Sequence, residues 1–140
     1  MIKYFIFLFL LITFIGCDSL SDTNFIVNVS PKDASHPYYT QGSKMGYFIL
    51  ALNQSNVVGP NLQGATLILK KGQTYTFDVN AKGHPFYISK TPKGLLENNY
   101  ASSPIEYGLF TFTVPMDAPG TLYYACANHE FMGGQINIIK

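Results

Sequence analysis

Between Phe25 and Lys140 no long amphipathic helix can be traced; short apolar runs recur instead, each closed within a few residues by Gly, Pro or Asn. Thr74-Tyr75-Thr76-Phe77-Asp78-Val79 alternates strictly, so Tyr75, Phe77 and Val79 share one face of a strand. Phe110 to Val114 alternates in the same way. Phe25–Val29, Tyr47–Leu52, Thr66–Lys70, His84–Ser89, Thr121–Cys126 and Gln135–Ile139 bring the set to eight. Pro85 falls near the start of its run, where a strand tolerates proline. Lys90 to Tyr107, with Pro92, Gly94, Asn98-Asn99 and Pro104, reads as a long loop with one helical turn near Leu95. Closely spaced short strands with Gly/Pro turns predict an all-β sandwich or barrel of about eight strands. The 10 Tyr and 11 Phe, with no Trp, suit a strand-rich core, because aromatic side chains favour strands.

The first 16 residues read as a signal peptide. Lys3 is the only charge before Asp18, and Tyr4 to Ile15 is an apolar run relieved only by Thr13. The run is shorter than the roughly 20 residues that span a bilayer, which argues against an uncleaved anchor. Phe14-Ile15-Gly16-Cys17 resembles the bacterial lipoprotein box, with Phe14 where Leu is usual. That resemblance implies acylation of Cys17, a polar tether over 17–24 and a domain over 25–140, exported and held at a membrane surface by lipid. Several acyl chains together make a stable anchor. Without Lys3 the chain has eight Lys, no Arg and eight acidic residues, so it is formally neutral and has no basic footprint for nucleic acid.

Near the C-terminus, Cys126-Ala-Asn-His129-Glu-Phe-Met132 places a thiolate, an imidazole and a thioether in one loop between two strands. A second imidazole, His84, follows Gly83 at the mouth of another strand. Two His, one Cys and a weak Met are the donor set of a mononuclear blue-copper electron-transfer site. Zinc prefers four strong N, S or O donors, and Met is a poor fourth; Glu130 could stand in for Met132, but its place beside His129 points it to solvent. A Cys17–Cys126 disulfide is the alternative use of the two cysteines, although it would join a lipid-anchor position to a ligand motif. His36, in a Pro-rich loop with no Cys nearby, reads as a surface residue, and Met45 and Met116 as core or surface residues.

The Cys126, His129 and Met132 spacing is similar to the short ligand loop of amicyanin, and the chain from Phe25 to Lys140 resembles the cupredoxins. This resemblance implies a Greek-key β-sandwich with one type 1 copper bound by His84, Cys126, His129 and Met132. It also implies that electrons pass through the exposed edge of His129, in an apolar patch with Phe131 and Pro85, to redox protein partners. Many cupredoxins have an Asn after the first His that bonds across the site. Pro85 stands there instead, leaving colour and potential open, and Asn128 is a candidate substitute.

The expected function is thus a non-enzymatic single-electron carrier outside the cytoplasm, periplasmic or at the cell surface. Copper delivery or storage is the alternative, disfavoured by the few spare donors, His36, Met45 and Met116. Three His are too few for a multicopper oxidase or nitrite reductase, and cleavage before Cys17 excludes an N-terminal His brace. A metal-free adhesion module is the remaining alternative.

Overall fold

A computed structural model describes residues 24–59 and 62–140. The expected signal peptide, Cys17 and the tether up to residue 23 lie outside them. Ten strands run in chain order: β1 Phe25–Pro31, β2 Met45–Ala51, β3 Val57–Val58, β4 Thr66–Lys70, β5 Thr74–Asn80, β6 Phe86–Ser89, β7 Asn99–Ile105, β8 Tyr107–Thr113, β9 Thr121–Cys126 and β10 Gly134–Ile139. They form two mixed sheets, ordered β2-β1-β5-β8 and β3-β4-β10-β9-β6-β7. β1 runs parallel to β5 and β4 parallel to β10; the other pairs are antiparallel.

The period-2 pattern decides what faces inward. Tyr75, Phe77 and Val79 of β5 are buried, as are Phe25 and Val27 of β1 and Phe110 and Phe112 of β8. Leu67 and Leu69, Leu122 and Tyr124, and Ile136 and Ile138 answer from the second sheet, and all belong to one core cluster. Phe86 joins the layers, its ring 5.3 Å from both Phe77 and Phe110 and 5.4 Å from Tyr47. Each such fully buried aromatic or aliphatic side chain contributes about 1.5–3 kcal/mol relative to exposure.

All eight expected strands are present, and two more add to them. β3 is a two-residue edge strand. β7 lies in the stretch read as a loop, after a 3-10 turn at Leu96–Asn98. It forms the outer edge of the second sheet, with register shifts against β6, and an edge is where a strand tolerates Pro104. β6 starts at Phe86, so His84 and Pro85 precede the strand instead of opening it. All four β6 residues are buried. Its outer face is covered by the following loop, where the Tyr87 hydroxyl donates to the Leu95 carbonyl at 2.5 Å.

Candidate metal centre

Strand pairing brings the donors together. Phe86 stands opposite Cys126 in the antiparallel β6–β9 pair. The ladder continues one step past the strands, the Ala127 amide donating to the Pro85 carbonyl at 2.9 Å. His84, two residues before Phe86, therefore falls beside the loop that leaves Cys126, with the same side-chain parity as Phe86. The turn before it closes through the His84 amide on the Ala81 carbonyl at 2.8 Å. Gly83 supplies the positive φ of 75° that the turn needs.

His84 Nδ1 lies 3.1 Å from His129 Nδ1, and Cys126 Sγ lies 3.6 Å from His129 Nδ1. All three donor atoms fall within 4.8 Å of one another. For metal–nitrogen and metal–sulfur bonds of about 2.0 and 2.3 Å, a tetrahedral site has N···N and N···S edges of about 3.3 and 3.5 Å. The two separations that involve His129 are close to those edges, and the third pair lies within 4.8 Å, so the three atoms could hold one ion. The 3.1 Å Nδ1···Nδ1 contact is a hydrogen bond when one ring donates and the other accepts.

Cys126 is a fully buried free thiol, and His129 is exposed. Burial pushes the Cys126 pKa up; the amides of Asn128 and His129 and the hydroxyl of Tyr47 oppose this, and the Glu106 carboxylate adds to it. The Asn128 amide donates to Sγ at 3.5 Å, so its backbone, and not its side chain, reaches the thiol. The His84 pKa is lowered, first by burial and then by the neighbouring His129. A bound cation would lower the His84 pKa further, because it favours neutral imidazole, and would work against the rise at Cys126, because it favours thiolate.

Met132 is completely buried at the end of the ligand loop. Its carbonyl accepts from the Tyr47 amide at 2.7 Å and lies 3.2 Å from His36 Nε2. Glu130 is turned away, its carboxylate 3.3 Å from Lys93 Nζ in an exposed ion pair. Phe131 and Pro85, expected beside His129 in an apolar patch, are half-buried, and the Phe131 ring centroid lies 5.5 Å from that of Tyr38.

His36 corrects its expected surface position, because it is only 2% exposed. The Tyr38 amide donates to its Nδ1 at 3.0 Å, which leaves Nε2–H as the donor to Met132. His36 is thus a brace under the ligand loop. Two further residues around the site were not expected from sequence. Tyr47 was read only as strand, yet its hydroxyl donates to the His84 carbonyl at 2.7 Å. Glu106 accepts from the Gly83 amide at 2.9 Å. These are long-range contacts with no periodic signature, visible only after the strands are paired.

The two-sheet β fold thus brings together a His84, Cys126 and His129 group that could hold a metal ion. Comparison with protein-family models, with curated proteins and with solved structures returned no match.

Proposed function

We propose that this chain is a cupredoxin-like, Greek-key electron carrier with one type 1 copper, held outside the cytoplasm by a lipid on Cys17. The supporting observation is the meeting of His84 Nδ1, Cys126 Sγ and His129 Nδ1 within 4.8 Å. A thiolate, two imidazoles and a weak thioether suit copper in both oxidation states better than zinc. Copper, when bound, supplies one-electron exchange between Cu(II) and Cu(I). The chain's own residues hold the donors still. The β6–β9 ladder fixes His84 against Cys126, the Asn128 amide steadies the sulfur, and Met132 is seated by its carbonyl. A site so constrained rearranges little between oxidation states, which keeps electron transfer fast.

His129 is the exposed ligand and serves as the contact edge for a redox partner, through a small and brief interface. Copper delivery or storage is less well supported. The spare donors do not gather near the site. Met116 is exposed beside the Gly72 turn between β4 and β5, Met45 packs on the core, and His36 is engaged beneath the loop. No enzymatic role is proposed.

Adding Cu(II) to the purified protein should produce an intense thiolate-to-copper absorption in the visible. Cys126→Ser should abolish it while the domain stays folded by circular dichroism. A coloured Ser variant, or a colourless wild type, refutes the reading.

A further inference from the structure

Tyr47 reaches two ligand-bearing segments at once, one through its backbone and one through its side chain. It lies in β2, in the sheet opposite the one that carries His84, Cys126 and Met132's loop. Its amide donates to the Met132 carbonyl and its hydroxyl to the His84 carbonyl, each at 2.7 Å. Its own carbonyl accepts from the Gly64 amide at 2.9 Å, so the residue cannot drift along the strand. The side chain is fully buried, with its ring edge-on to Phe86 at 5.4 Å and 6.3 Å from Tyr124. Water therefore cannot replace the hydroxyl on the His84 carbonyl.

We propose that Tyr47 is the positioning residue of the metal centre, its buried hydroxyl holding His84 in register with Cys126 before any ion arrives. This rests on the metal-site reading, but not on copper in particular. The hydroxyl donates its one proton to the His84 carbonyl and so fixes the backbone that presents the His84 ring, while the amide of the same residue fixes the end of the ligand loop at Met132. Outer partners of this kind orient metal ligands.

The test is Tyr47→Phe in the full chain, which keeps the ring, its packing and the backbone bond to Met132. Co(II) serves as the first probe because its thiolate absorption reports binding whether or not the natural metal is copper. Loss of an outer partner of a metal ligand typically weakens binding about 10–100-fold, and Y47F should fall in that range. Tyr75→Phe is the control. It removes another buried hydroxyl, one that accepts from the Lys70 amide at 2.9 Å and touches no ligand segment. It should cost stability without changing Co(II) affinity. With copper, Y47F should stay coloured but change its midpoint potential, because the segment that presents His84 loses its buried partner.

Equal Co(II) affinity and equal potential in Y47F and wild type overturn the proposal. A colourless copper form with a Y47F loss of Co(II) affinity overturns only the electron-carrier reading, and a wild type that binds neither ion overturns both. If Y47F does not fold, the wild-type Tyr47 hydroxyl proton can be followed by NMR as Zn(II) is added. A shift supports the proposal, and an unmoved resonance refutes it.

Discussion

His36 is held neutral in the folded protein. Burial is the main cause, and it lowers the pKa from 6.5 to about 4. The neutral ring accepts from the Tyr38 amide and donates to the Met132 carbonyl, and a protonated ring would break the first of these bonds. The unfolded chain binds the proton more readily, so stability is complete above about pH 6.5 and is lost as pH falls toward about 4. The loss should be on the order of 3 kcal/mol for this group. Thermal melts of the metal-free protein across that window check it, and His36→Gln should flatten most of the slope. Gly133 is a second residue that fixes the ligand loop. A Cβ there would lie 1.6 Å from the Tyr124 carbonyl oxygen. Gly133→Ala should therefore destabilise by at least about 3 kcal/mol, because backbone rather than a flexible side chain must move. Chemical denaturation measures it, and a loss below about 1 kcal/mol would contradict the close approach.

At the scale of elements, the strands that alternate were the ones legible in sequence. β5 and β8 have one solvated face, so Tyr75, Phe77, Phe110 and Phe112 stand out against Thr and Asp. β6 was legible as an apolar run because both of its faces are covered. β7 was not, since an edge strand of Asn-Tyr-Ala-Ser-Ser-Pro-Ile needs neither alternation nor a full set of ladder bonds. The Cys126–Met132 loop was legible as a donor cluster because its spacing is local. The segment that braces it from below, residues 32–44, was not. Its contacts, Ser43 amide to Glu130 carbonyl at 3.0 Å and His36 to Met132, join residues far apart in sequence. On the proposed reading, Met132 is the weak donor of this loop. Met132→Leu should keep copper and raise the midpoint potential, since a donor that favours Cu(II) is lost. Protein-film voltammetry reads this, and an unchanged potential would mean that the thioether is not axial.

For the whole molecule, the all-β class was legible, and the division into two mixed sheets and the pairing within them were not. Short strands between turns narrow the fold to a sandwich or barrel, but the parallel β1–β5 and β4–β10 pairs depend on which strand ends meet. Among the described residues no helix is long and apolar enough to cross a membrane. The proposed lipid anchor at Cys17 lies outside the described residues. Cys17→Ser should shift the protein from the membrane pellet to the soluble fraction. Retention in the pellet would refute the anchor.

The division of the donors between one loop and one distant strand end gives the centre a history as well as a shape. Cys126, His129 and Met132 are neighbours in any conformation, so an unfolded chain already offers half a claw. His84 joins only when β6 pairs with β9. An ion caught early is thus released or completed according to whether folding succeeds, and a completed site stabilises the fold by mass action. On the copper reading, a molecule that finds no metal would rest on its packing alone and unfold more easily than a loaded one.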